Sequence, residues 1–95
     1  MKNEYKFLEW DEHNLYKNEI KHGVFFEEIE QCFNNPAFIA PHKKYKDRRV
    51  MLGETNGGRY LFIVFQHLSN EKARPIHARD MKINERRIYE QYRPK

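Results

Sequence analysis

The hydrophobic pattern of this chain changes period near Pro36. Upstream, apolar positions recur at helical spacing; downstream, they alternate or run in short blocks bounded by turn residues. YKFLEW (5–10) reads as a first strand. Asp11 then predicts the N-cap of a helix, with Trp10 and Leu15 at the staple positions on either side. His22-Gly23 ends that helix, glycine supplying the left-handed turn, and Val24-Phe25 leads into a second helix of about nine residues with Phe26, Ile29, Cys32 and Phe33 on its buried face. Asn34-Asn35-Pro36 stops it, because proline cannot continue a helix and pushes its predecessor toward extended geometry.

Four strand candidates follow: AFIAPH, RRVMLGET, GRYLFIVFQHL and KARPIHARD. Asn56-Gly57-Gly58 predicts a tight hairpin between the second and third, with Asn and Gly taking the positive φ angles, so these two runs should pair antiparallel. YLFIVF is apolar on both faces, as a central strand requires. Pro75 places an edge or a bulge in the last run. A final helix spans Lys82 to about Tyr92, docking by Met81, Ile88 and Tyr92 and exposing Arg86, Arg87 and Arg93. The expected fold class is therefore α+β: one domain over 1–95, an antiparallel sheet of four to five strands centred on Tyr60 to Phe65, two N-terminal helices and one C-terminal helix.

Composition alters this picture in two ways. Only 39% of residues are apolar while 34% are charged, so the core must lean on large rings, of which there are seven Phe, six Tyr and one Trp. Charge is also divided along the chain: residues 1–41 carry four Lys against eight acids, a net −4, and residues 42–95 carry fourteen Lys and Arg against six acids, a net +8. A basic half of this kind attracts polyanions. The lone Cys32 excludes an internal disulfide and fits a buried, inert thiol. No apolar run approaches the ~20 residues that span a bilayer, and MKNEYKFLEW lacks the apolar core of a signal peptide, so the cytoplasm is the expected compartment.

Several chemistries lack their signals. The five His are scattered, no Cys pair exists to build a metal site, and neither a phosphate-binding Gly loop nor a serine elbow is present. The cations remain: Lys43, Lys44, Lys46, Arg48 and Arg49 in one run, Arg59 at a strand start, and His77-Ala78-Arg79 at a strand end. Arginine is the better phosphate clamp because its planar fork holds two oxygens. RNA cleavage without a metal needs a base for the 2′-hydroxyl, an acid for the leaving oxygen and fixed cations at the phosphate. His77 and Arg79 alternate on a strand and so share a face. A solvated strand face reads the same way, and binding RNA without cutting it needs only the basic and aromatic surface.

The blocks Phe7, Glu9-Trp10-Asp11, Asn18, Lys21-His22-Gly23-Val24, Phe26-Glu27-Glu28, then Asn35-Pro36, Arg49, Gly53, Gly58-Arg59-Tyr60-Leu61, Ala78-Arg79-Asp80-Met81 and Glu85-Arg86-Arg87 with Tyr89 closely resemble the BrnT-like toxins of bacterial type II toxin–antitoxin pairs. The resemblance runs from residue 7 to 92. It implies a RelE-like α+β fold, metal-independent and cofactor-free RNA cleavage that stops translation, and inhibition by a ribbon-helix-helix antitoxin of the BrnA type, through which alone operator DNA is reached. Arg79 and Arg59 are then the expected phosphate clamps, His77 or His22 the proton-transfer group, and Tyr89 a nearby hydroxyl. Lys43, Arg49, Arg86 and Arg87 are expected along the RNA backbone. Phe25 and Lys82 stand where the family commonly starts helices with Ser or Thr, leaving Asp80 or Asn84 to cap the last helix, and His77 stands where Ser or Thr is common. Trp10, Asp11 and Gly23 have sufficient structural explanations as staple, N-cap and C-cap.

Overall fold

The computed structural model of the chain describes residues 5–10 and 23–93. Its elements are β1 (Phe7–Leu8), α1 (Phe26–Asn34), β2 (Phe38–Pro41), β3 (Arg48–Glu54), β4 (Tyr60–His67), β5 (Lys72–Asp80) and α2 (Ile83–Tyr92). They form one five-stranded sheet in the order β1-β5-β4-β3-β2, with β4 at its centre as its two-sided apolar run requires. The sheet is mixed rather than antiparallel, because β1 lies parallel to β5 through Phe7↔Lys72 and Leu8↔Ala73. Alternation tells which face a side chain takes but not which way its strand runs. The expected helix from Asp11 to His22 lies outside the described residues. Gly23 has φ 62°, the left-handed conformation expected of a helix-ending glycine.

Two details of the β-meander depart from the sequence reading. Asn56 does not take positive φ; Gly58 alone in this turn does, at 89°. The Gly58 N–H donates to the Thr55 carbonyl at 3.0 Å and the Thr55 N–H to the Arg59 carbonyl at 2.9 Å, which is a three-residue hairpin closed by a glycine bulge. In β5 the partners step from Val64↔His77 to Phe65↔Pro75, leaving Ile76 as the extra residue of a bulge. Pro75 thus marks a bulge and not an edge, since β5 lies between β1 and β4. The bulge turns Pro75 and Ala73 toward the α1 face and leaves His77 and Arg79 on the other.

The core fills the space between α1 and the sheet. Ile29, Cys32 and Phe33 pack on Met51, Leu61, Ile63 and Phe65, and the rings of Tyr5, Phe33 and Phe65 meet edge-on with centroids 5.0 to 6.0 Å apart. Phe26 sits partly exposed against Trp10. Burial pushes the Cys32 thiol up to about 12, so it is an inert core group as expected. Helix α1 reaches β3 at Gly53, where a Cβ would meet the Cys32 Cβ at 3.0 Å. Gly53→Ala is expected to cost about 1–3 kcal/mol in urea unfolding, since neither backbone can yield cheaply. Adding Cys32→Ala should give little relief, because the crowded atom is the Cβ itself; full recovery in the double variant would refute this contact as the cause.

The two described helices start alike. Neither Phe25 nor Lys82 has a capping side chain; instead the third residue of each helix, Glu28 or Glu85, accepts the N–H of the cap residue at 3.1 and 2.8 Å. Asp80 and Asn84, expected as caps for α2, do not serve. Each glutamate also binds one arginine from the sheet, Glu28 to Arg59 and Glu85 to Arg79, so both helix starts are clasped to opposite faces of the same sheet.

Candidate nucleic-acid interface

Sheet parity divides the candidate residues. Phe62 pairs with Arg79 and Val64 with His77, placing these four on the face that α2 covers in part, whereas Leu61, Ile63 and Phe65 point to α1. On the α2 face the Arg79 guanidinium lies 4.0 Å from the Phe62 ring centroid and donates two hydrogen bonds to Glu85, both at 2.9 Å, and one to the Asp80 carbonyl at 3.0 Å. Arg79 holds the Glu85 carboxyl below its usual range, and the Lys82 N–H adds to the effect. Arg79, expected as a phosphate clamp, therefore also has a structural duty in fastening α2 to the sheet. The pairing is also compatible with phosphate recognition, because the fork that grips a carboxylate grips a phosphate in the same way.

Tyr89 is the buried residue by which α2 docks, and the Tyr92 ring lies on Phe38 with centroids 4.4 Å apart. Tyr89 is 4% exposed, whereas Ile88 and Tyr92, expected to form the docking stripe, are 41% and 60% exposed. Its ring meets Tyr60 edge-on at 5.6 Å and its hydroxyl points at the Glu54 carboxylate, 3.4 Å away. Burial, with the Glu54 charge adding, pushes the Tyr89 phenol up to about 12. Tyr89 is consequently a hydroxyl donor at neutral pH and not a base.

Arg59 and Arg49 stand on the other side. The Arg59 guanidinium donates to Asp80 at 2.7 Å, to Glu28 at 2.9 Å and to the Gly23 carbonyl at 2.9 Å, tying β4, β5 and the approach to α1 together. Arg49 donates to the buried Tyr5 hydroxyl at 2.7 Å, and that hydroxyl is paired with His67 Nδ1 at 2.7 Å. Arg59 and Arg79 thus do not converge on one phosphate: the sheet lies between them. His22 lies outside the described residues.

A groove of about 380 Å³ runs between β2–β3 and α2, floored by Phe38, Val50, Leu52 and Phe62 and bordered by His42 and Lys43 on one side and Asn84, Glu85 and Ile88 on the other. Arg79 stacks on its Phe62 floor. Arg86 lies over Tyr60 at 4.5 Å and Arg87 is exposed. Among the described residues, carboxylates pair with Lys6, Arg59, Lys72, Arg74, Arg79 and Arg93, while Lys43, Lys44, Lys46, Arg48, Arg49, Lys82, Arg86 and Arg87 have no such partner within 4.0 Å. Lys43, Lys44 and Lys46 lie in the β2–β3 loop, Arg48 and Arg49 open β3, Lys82 precedes α2 and Arg86 and Arg87 lie on it; of these, Lys43 lines the groove. Residues missed in the sequence are Glu85, whose spacing three after Lys82 was the signal, and Tyr45, an aromatic interleaved among lysines. Among the described residues no three His, Cys, Asp or Glu side chains group as metal ligands, and no helix is long and apolar enough to cross a membrane.

The profile of a family described as "Ribonuclease toxin, BrnT, of type II toxin-antitoxin system" matches residues 10–85. The crystal structure of the Brucella abortus ribonuclease toxin, BrnT, superposes with a TM-score of 0.65 at 28% identity, over 80% of this chain and 96% of that one. No curated protein sequence matches the chain.

Proposed function

We propose that this chain, which belongs to the family of BrnT ribonuclease toxins of type II toxin–antitoxin systems, cuts RNA on the α2 face of its sheet without a metal or cofactor and thereby stops translation in the cytoplasm. The observation that carries the site is the placement of His77 and Arg79 on one strand face beside Phe62, which floors a groove bordered by Lys43 and His42. The chain is then a single BrnT-like domain over 1–95 with a RelE-like toxin fold. The reaction begins when a base takes the 2′-hydroxyl proton; that oxygen bonds to the adjacent phosphorus as the 5′-oxygen departs with a proton. His77 is the proton-transfer group in this reading, with His22 as its alternate or complement. Arg79 meets the charge building on the phosphate, and Tyr89 donates from its protonated hydroxyl. Lys43, Arg86 and Arg87 track the backbone, while Arg49 and Arg59 serve the fold.

The family implies an antitoxin partner. We take it to be a ribbon-helix-helix protein of the BrnA type, with acidic segments suited to the bare cations of the β2–β3 loop and α2, and we place operator DNA on the antitoxin alone. Purified toxin incubated with RNA in excess EDTA tests the chemistry. Cleavage is expected to persist and to leave 2′,3′-cyclic phosphate and 5′-hydroxyl ends, and a co-purified antitoxin should suppress it. Loss of cleavage on chelation would overturn the metal-free reading. RNA bound but left intact would make the protein a non-catalytic RNA-binding or regulatory module acting with its DNA-binding partner.

A further inference from the structure

The loop between β2 and β3 holds an exposed aromatic ring in an unusually fixed and positively charged setting. Tyr45 is 42% exposed. The Arg48 guanidinium lies 4.3 Å from its ring centroid, the Lys44 ammonium 5.5 Å away, and the His42 ring 5.3 Å away. None of the three cationic or polar neighbours has a carboxylate partner among the described residues. A surface tyrosine on a loose loop would mean little, but this loop is pinned. The His42 N–H donates to the Arg48 carbonyl at 3.1 Å and the Arg48 N–H to the Tyr45 carbonyl at 3.2 Å. His42 Nδ1 accepts the N–H groups of both Lys44 and Tyr45, at 3.0 and 3.2 Å. By accepting both N–H groups the His42 ring braces the turn.

A pre-set aromatic face flanked by unpaired cations is what single-stranded nucleic acid binds: bases stack without regard to sequence, and phosphates meet the charges. The position also fits, because His42 and Lys43, the residues just before this platform, line the groove that reaches Phe62 and Arg79. We infer that a nucleobase of single-stranded RNA stacks on Tyr45 while the neighbouring phosphates lie on Lys44 and Arg48, next to the strand being cut. This subsite rests on the ribonuclease reading above and deepens it, since it assigns the contact that would hold substrate outside the reacting phosphate.

A short single-stranded oligoribonucleotide, made uncleavable by 2′-O-methylation, provides the probe, with Kd measured by fluorescence anisotropy across a series of salt concentrations. Tyr45→Leu keeps apolar bulk and removes the π face; it is expected to weaken binding between about fivefold and about a hundredfold with the salt slope unchanged. Tyr45→Trp should retain binding. Lys44→Ala should lower the salt slope by about 0.7, as loss of one phosphate contact to a single strand requires. Unaltered thermal melts would show that these exposed changes leave the fold intact. If Tyr45→Leu binds the probe and cleaves unmodified RNA like the wild type, the subsite is refuted and the ribonuclease reading stands. A wild type that neither binds nor cleaves RNA refutes both. If Tyr45→Leu loses affinity for the co-purified antitoxin while RNA affinity holds, the loop is a protein contact and the inference is overturned.

Discussion

Arg59→Ala is expected to lower the melting temperature by about 8–16 °C. The estimate follows from the partners the guanidinium leaves behind. Its contact with Glu28 lies where the two side chains are only 30% and 23% exposed, so it is worth more than a surface pair, and the exposed contact with the Gly23 carbonyl adds a smaller share. The contact with Asp80 counts for less, because that carboxylate is 65% exposed and screened by water. Together the loss is on the order of 2 kcal/mol, and each kcal/mol moves the midpoint of a domain this size by about 4–8 °C. The same clasp gives a pH signature. Arg59 holds the Asp80 carboxyl below the usual aspartate range, so its stabilisation is present above that range and disappears as pH falls through the lower folded-state value. Acid unfolding should accordingly be less steep in Arg59→Ala. A variant that melts like the wild type yet has lost RNA affinity would restore Arg59 to the phosphate and refute the clasp.

That prediction reverses the role the sequence suggested, and the reason is physical. Strands β2 to β5 were legible because alternation and turn residues are local, and β5 falls on the same nine residues in pattern and in structure. Whether Arg59 and Arg79 share a face depends on the register between β4 and β5, which a bulge at Ile76 sets; a one-residue slip exchanges every side chain between faces. Pro75 signals an edge or a bulge in β5, but not the register that follows from it. The α2 stripe was legible in part: Tyr92 does lie on Phe38, but the buried member is Tyr89. Hydrophobicity ranks Ile88 above Tyr89, but only Tyr89 combines a ring that meets Tyr60 with a hydroxyl that reaches Glu54. The same-face relation of His77 and Arg79 was legible, since it needs only period two. The carboxylate that occupies Arg79 was not, because Glu85 comes from the next element and reaches back.

Arg79 now has two duties, and comparing two variants separates them. If it only fastens α2 to the sheet, Arg79→Ala and Glu85→Gln remove the same clasp, and activity should fall in step with stability in both. If it also meets the reacting phosphate, the two must diverge. Glu85 lies where an incoming phosphate would sit on the guanidinium, so the carboxylate competes with substrate for the same two donors. Arg79→Ala is then expected to lower the cleavage rate by about a hundredfold or more, the usual loss when one preorganised donor to a developing oxyanion is removed. Glu85→Gln should bind RNA as well as the wild type or better, because a competing charge has gone, while melting at a lower temperature. Arg79→Lys should not rescue cleavage, since a point charge neither forks nor stacks flat on Phe62. Measured below their melting points, equal rate losses in Arg79→Ala and Glu85→Gln would reduce Arg79 to a clasp, and the reacting phosphate would have to be sought elsewhere on the α2 face.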